Sequence, residues 1–207
     1  MDQLPLILGW CIYALLHSLL AGLALKAAVA RRWPAFAPWY RLSYNAFAGV
    51  AALPLVWLLY AVPGDSLWAW RGPWAWLANG LALAAVAGFM VSSRGYDMDE
   101  FLGLRQLRGG EHEPVDRESF RISPFHRFVR HPWYSFGLVI VWSRDMNEAM
   151  LVSALAITAY FVIGSRFEEQ KLIAVHGQTY RRYRERVPAL VPLPWKYLGR
   201  DEAADFR

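Results

Sequence analysis

The chain has a single cysteine, Cys11, in 207 residues. One thiol cannot build a disulfide framework or a cysteine-based metal site. Charge is scarce too: Asp, Glu, Lys and Arg supply 19% of the residues against 56% hydrophobic. That balance is too apolar for an ordinary soluble domain. There is no GxGxxG turn, no P-loop and no HExxH motif, so the common dinucleotide, nucleotide and zinc-peptidase signatures have no footing. The five histidines, His17, His112, His126, His131 and His176, are scattered. His126 and His131 lack the i, i+4 spacing that aims two imidazoles at one ion, and no metal is expected.

What the chain does have is long uncharged runs. Between Asp2 and Lys26 lie 23 residues without an ionised side chain, between Arg41 and Asp65 another 23, and between Arg71 and Arg94 a further 22. Each can cross a hydrocarbon core of about 30 Å as a helix. Two shorter runs follow, 13 residues from His131 to Ser143 and 17 from Ala149 to Ser165. The first spans only with tilt, local thinning or snorkelling by Arg144. Together they read as a hairpin with its tip at Arg144 to Glu148. The N-terminus lacks a basic leader, and its apolar run exceeds the roughly 7–15 residues of a signal-peptide core.

The expected fold is therefore all-α: a polytopic membrane protein with five transmembrane helices in one domain. The helices fall at about residues 3–30, 42–63, 73–93, 131–144 and 148–176, helices four and five forming the short hairpin. A loop over 94–130 and a helical tail over 177–207 complete it. Within the loop, Met98 to Leu107 predicts a short helix broken at Gly109-Gly110. In the tail, Gly177 is placed to cap helix five and Val187-Pro188 to end a second helix.

Basic residues orient the chain. Four lie from Lys26 to Arg41, seven from Arg94 to Arg130 and nine from Arg166 onward, while the other two connections carry only Arg71 and Arg144. The excess marks the cytoplasmic side. It predicts an N-terminus outside, a C-terminus in the cytoplasm and a bacterial-type inner membrane. The net charge of +5 is then the positive-inside bias, with membrane lipid as partner and no nucleic acid. Trp33, Trp39, Trp68, Trp70, Trp74 and Trp76 cluster near predicted helix ends, as interfacial anchors do.

Ionisable groups gather at one border. Arg130-His131-Pro132-Trp133-Tyr134 opens the fourth apolar segment, and Arg166-Phe167-Glu168-Glu169 closes the fifth. Polar groups there are costly to desolvate, which favours a ligand-holding role. Composition and spacing point to a chamber that a polar cofactor enters from the cytosol and an apolar substrate enters from the membrane.

The order Arg130-His131-Pro132-Trp133-Tyr134, Glu168-Glu169, Gly177, Tyr180, Tyr183 and Val187-Pro188 resembles the isoprenylcysteine carboxyl methyltransferase superfamily of integral membrane methyltransferases, over roughly residues 120 to 192. Leu16 to Leu20, Tyr40 to Asn45 and Phe101 to Gln106 are similar to its NnrU and methanethiol S-methyltransferase branch. The resemblance implies S-adenosyl-L-methionine as methyl donor, held on the cytoplasmic side. It also implies a cofactor site of Gln106, Phe120, Arg121, Ile122, His126, His131, Pro132, Trp133, Tyr134 and Glu168. His131 and Tyr134 can bond the amino and carboxylate ends of the donor, and Glu168 its ribose hydroxyls or ammonium. The strip Leu190 to Pro192 can pack on adenine. Two departures stand out. His126 occupies the place of the tyrosine that prenylcysteine-methylating relatives carry before the histidine, and position 164 is Gly where they carry arginine. Both point toward a small thiol or lipophilic acceptor.

A thiol must lose its proton before it attacks. Arg41, Arg130 and Arg166 are cations able to stabilise the thiolate, and His17, in mid-helix, is a candidate base. The catalytic set expected is His17, Arg41 and Arg166, with His17, Tyr40, Arg41 and Asn45 lining the acceptor side. The plainer reading of His17 is a helix-to-helix hydrogen bond to Asn79 or Asn45. Other readings are a methyltransferase on a lipid amine or isoprenylcysteine carboxylate, and a non-enzymatic NnrU-like membrane protein linked to denitrification.

Overall fold

A computed structural model describes residues 2–94, 96–109 and 122–206. The predicted break at Gly109-Gly110 and the polar loop after it fall largely outside these residues. The helices are α1 (Leu4–Ala21), α2 (Leu23–Arg32), α3 (Tyr40–Ala61), α4 (Pro73–Ser93), α5 (Met98–Leu102), α6 (Leu104–Gly109), α7 (Pro132–Trp142) and α8 (Glu148–Arg186). Strands β1 (Ser66–Trp68) and β2 (Met146–Asn147) make one small sheet.

Among the described residues, four helical stretches are long and apolar enough to cross a membrane: α1, α3 with the short turn before it, α4 and α8. At 1.5 Å per residue, the 11 residues of α7 rise only about 16 Å, half a hydrocarbon core. Outward side chains are apolar: Leu83 is 71% exposed, Val50 65% and Leu15 69%. Such a surface is stable only against lipid or another protein.

The chain forms two compact units. The first comprises Met1–Leu67, Tyr96–Arg117 and Met146–Ala156. Here α1 packs on α3, around a core of Leu6, Leu55 and Ala149 flanked by Trp10, Tyr13 and Val152. The indole Nε1 of Trp10 donates to Ser153 Oγ at 3.0 Å. Where one helix over 3–30 is expected, Gly22 divides α1 from α2. Its backbone is extended (φ −65°, ψ 135°), which strips the last carbonyls of α1 of their intrahelical donors. The Tyr40 hydroxyl takes over one of them, donating to Leu20 O at 2.7 Å.

The single predicted helix over Met98 to Leu107 is likewise two, α5 and α6, divided at Gly103. Asp97 caps α5, its Oδ1 accepting from Glu100 N at 3.0 Å. Gly103 ends it in the left-handed region (φ 90°), where glycine carries no steric cost. A Cβ there would stand 2.7 Å from Leu42 N, so α5 and α3 approach at a point only glycine allows.

The second unit comprises Trp68–Gly95, Glu118–Asp145 and Ile157–Arg207. Its main helix pair is α4 on α7. Gly88 lets Phe136 close on α4; a Cβ would lie 2.7 Å from that ring. Gly177 (φ 55°, ψ −126°) kinks α8. Beyond it, Tyr180, Tyr183, Val187, Leu198 and Ala203 form a buried core with Ile122.

Gly103→Ala combines a positive-φ penalty of about 1 kcal/mol with a backbone clash at Leu42. The expected outcome is a melting temperature in detergent several degrees below wild type. Gly80→Ala, whose Cβ meets nothing within 4 Å, is expected to leave it unchanged or slightly higher.

Candidate functional site

The start of α7 is set by backbone. Arg130 N donates to Pro188 O at 2.9 Å and His131 N to Ala189 O at 3.1 Å, laying this segment along the one that follows α8. His131 is the N-cap and Pro132 the first helical residue, where proline's missing N–H costs nothing. The Ser135 hydroxyl reaches Leu190 O at 2.6 Å and His131 O at 3.0 Å. No side chain caps α7, so its first-turn amides lie at the positive end of a helix dipole without an intrahelical acceptor.

Two adjacent glutamates on α8 take different roles. Glu169 is buried, at 6% exposure. Its Oε1 accepts from Arg130 Nη2 at 2.7 Å, Arg130 Nε at 2.8 Å and His131 Nε2 at 3.1 Å. The remaining guanidinium nitrogen, Arg130 Nη1, donates to Arg184 O at 2.9 Å and also to Val187 O, a cation closing the C-terminal end of α8. Glu168 stays half-exposed. Its Oε2 lies 3.4 Å from His131 Nδ1 and accepts from the Tyr134 hydroxyl at 3.3 Å. The imidazole of His131, 6% exposed, thus has a carboxylate at each ring nitrogen. It also stacks on Tyr134 (5.4 Å, 10°), which stacks on Phe161 (4.6 Å, 7°).

Burial pushes the pKa of His131 down, but hydrogen bonds and charge from Glu168 and Glu169 outweigh it and hold the pKa above the usual 6.5. His126 goes the other way. Burial first, and then the positive charge of His131, push it down to about 4. It accepts from Ser123 N at 3.4 Å and lies 2.7 Å from Ser123 Oγ, both through Nδ1. His131 therefore keeps its proton to higher pH than the neighbouring His126.

The structure gathers His126, His131, Tyr134 and Glu168 in the second unit. Trp133, beside them, packs against Phe89 with its ring tilted by 43° at 5.1 Å. Ile122 and Pro132 are buried, so their side chains support the site from behind. Phe120 and Arg121 lie outside the described residues. Arg166 is exposed on α8. Sequence reasoning passed over the Arg130–Glu169 pair, and the doubled glutamate, set two residues beyond an arginine, was the signal for it.

The remaining expected residues belong to the first unit. The expected partner of His17, Asn79 or Asn45, is corrected: its Nε2 meets the Tyr44 hydroxyl at 2.8 Å, and Tyr13 packs on its other side at 5.6 Å. Asn45 Nδ2 and Arg41 Nε instead converge on Phe101 O, at 3.0 and 3.1 Å, satisfying a carbonyl that α5 is too short to use. Gln106 Nε2 donates to Glu100 O at 3.4 Å, and its buried Oε1 has no hydrogen-bond partner. Three of the four acceptor-side residues, Tyr40, Arg41 and Asn45, thus hold backbone.

Because the pKa of His131 is raised on folding, its contribution to stability is complete below about pH 6.5 and is lost as pH climbs through the folded value. Wild-type protein in detergent is expected to lose melting temperature from pH 6.5 upward, with a shallower fall in His131→Gln. Glu169→Gln leaves Arg130 buried without its counter-charge, which costs about 3–5 kcal/mol, read as a large drop in melting temperature at neutral pH.

No family model matches the chain, and no solved structure does. Curated proteins do. Methanethiol S-methyltransferase 2 of Bradyrhizobium diazoefficiens is 35% identical over 188 residues, covering 87% of this chain and 70% of the relative. The methanethiol S-methyltransferase of Mycobacterium tuberculosis is 32% identical, over 90% and 76%. That of Crocosphaera subtropica is 30% identical, over 87% and 71%. With identity of this level running through most of each partner, the chain belongs to the methanethiol S-methyltransferase family.

Proposed function

We propose that this protein is an S-adenosylmethionine-dependent membrane methyltransferase that S-methylates a small thiol of the methanethiol type. The observation that carries the reading is the division of labour between the two glutamates. Glu169 is consumed by Arg130 and His131, while Glu168 is left half-exposed beside a stacked tyrosine at the mouth of an uncapped helix. The names of the relatives supply the substrate class.

The donor set fits such a molecule. A zwitterionic amino-acid end needs an acceptor for its ammonium and donors for its carboxylate. Glu168 is the acceptor. The first-turn amides of α7 are the donors, and His131, its ring nitrogens already on Glu168 and Glu169, holds the Glu168 carboxylate in place. Tyr134, stacked on His131 and on Phe161, steadies the Glu168 carboxylate through its hydroxyl. When bound, S-adenosylmethionine supplies an electrophilic methyl group on sulfonium. The protein's work is then alignment and exclusion of water, worth several kcal/mol of the barrier.

The acceptor thiol must reach the reaction as thiolate. We assign His17 as its proton acceptor, held by Tyr44, with Arg41 and Arg166 as the cations that favour the anion. Tyr40 and Asn45 position this side through the carbonyls they hold. In this reading α7 and the start of α8 form the short hairpin of a five-span topology. The amino terminus is outside, and the tail after Gly177 lies on the cytoplasmic side of an inner membrane.

Calorimetry with S-adenosylhomocysteine tests the donor site. Wild type is expected to bind. Glu168→Gln should bind about tenfold or more weakly, the scale of one lost charge-assisted hydrogen bond, with little change in the melting temperature of the free protein. No binding by folded wild type would overturn the reading in favour of a non-enzymatic role. Methyl transfer from labelled S-adenosylmethionine to methanethiol, set beside a lipid amine and an isoprenylcysteine, tests the acceptor. Preference for either of the latter would overturn the thiol assignment. His17→Ala is expected to abolish turnover at neutral pH, with partial recovery at alkaline pH where the free thiol ionises.

A further inference from the structure

A second place in the molecule is built to hold something, and the donor site leaves it unused. It lies in the second unit, at the end of α7 remote from His131. There the start of α4 and the end of α7 line a groove of about 270 Å³. Its walls are Trp70, Trp74, Leu77, Leu81, Val139 and Trp142, with Ser143 as the single polar side chain in the lining. Water in such a space lacks the two to four polar partners each molecule needs. The groove opens on a side where Trp74 is 64% exposed, Leu77 52% and Leu81 50%, the face an apolar helix turns to lipid.

At its rim stands Arg144. The backbone there is fixed: Trp70 Nε1 donates to Arg144 O at 3.2 Å, and Trp70 N to Asp145 Oδ1 at 2.9 Å. The guanidinium is held by Asn79 Oδ1 at 3.2 Å from Nη1 and by Ser143 Oγ at 3.3 Å from Nη2. Both partners are neutral. Among the described residues no carboxylate pairs with Arg144 within 4.0 Å, and its Nε is buried with no hydrogen-bond partner. A fixed cation with no carboxylate partner among the described residues therefore adjoins a dry, tryptophan-walled groove. A matching ligand has an anionic head with oxygen acceptors and an alkyl chain directly attached. Guanidinium and phosphate are well matched in geometry, and tryptophans at the start of an apolar helix mark the depth at which lipid headgroups lie.

We propose that this groove is a phospholipid site, with an acyl chain lodged between α4 and α7 against Trp74 and Trp142 and its phosphate on Arg144. One bound lipid would fill the groove between the two helices and neutralise Arg144. It would thereby stabilise the unit whose opposite end carries His131 and Glu168. The inference stands apart from the donor reading, because its test measures stability and not methyl transfer.

The test uses delipidated full-length protein in detergent, titrated with dioleoyl phosphatidylglycerol, each variant being compared with its own lipid-free melting curve. A ligand that binds only folded protein raises the melting temperature with concentration. Wild type should show a saturable rise. Arg144→Gln should need about tenfold more lipid for the same rise, the scale of one charge-assisted contact. Leu81→Trp, which fills the groove from its exposed side and leaves Arg144 in place, should lose the rise; it carries the test alone if Arg144→Gln does not fold. An equal rise with dioleoylglycerol would reduce the site to a chain-binding groove and overturn the phosphate assignment. An equal rise with glycerol phosphate would make it an anion site without a chain. Both variants matching wild type would show only the lipid that coats any membrane helix.

Discussion

The second unit depends on one buried cluster of charge. Arg130, His131 and Glu169 are brought together from two segments far apart in the chain, and each satisfies the others where water cannot. A lone buried guanidinium or carboxylate costs several kcal/mol. The cluster is tolerable only because Glu169 Oε1 takes three donors while the spare guanidinium nitrogen reaches the carbonyls that end α8. The entry to α7 is thereby tied to the exit from α8. Everything proposed for the donor site presumes that tie, because it orients the His131 ring and fixes where the α7 dipole begins.

The same tie separates two roles that one residue could not combine. A carboxylate that balances a buried arginine cannot also receive a ligand without exposing that arginine. The neighbouring position on the helix points about 100° away, and Glu168 there keeps an accessible oxygen while touching His131 and Tyr134. A buried ion-pair partner and a half-exposed carboxylate thus sit side by side in sequence but on different faces. The two imidazoles show a similar division: the carboxylates beside His131 raise its pKa, while burial first and then the charge of His131 lower that of His126.

In the first unit, polar side chains are mostly occupied with backbone. Breaks at Gly22 and Gly103 leave carbonyls without helical donors, and Tyr40, Arg41 and Asn45 supply them. Their conspicuous place at the head of an apolar helix reads equally well as substrate recognition. Orphaned carbonyls exist only once the chain has folded, so the sequence could not separate the two. His17 was legible as a residue needing a partner, because a mid-helix imidazole in lipid requires one. That Tyr44 would supply it depended on how α1 packs against α3.

The amino-acid sequence by itself determined the mostly helical, membrane-directed character of this protein and the border where its ionisable groups collect. Lipid imposes a length and a polarity on any helix that crosses it, and uncharged runs record both directly. It also marked α7 as too short for an ordinary span. Tertiary structure alone decided which glutamate is buried, which polar groups serve backbone, and that a groove opens beside Arg144 at the end of α7. Those outcomes depend on helix rotation and on residues distant in the chain meeting in space, and no local pattern of side chains encodes either.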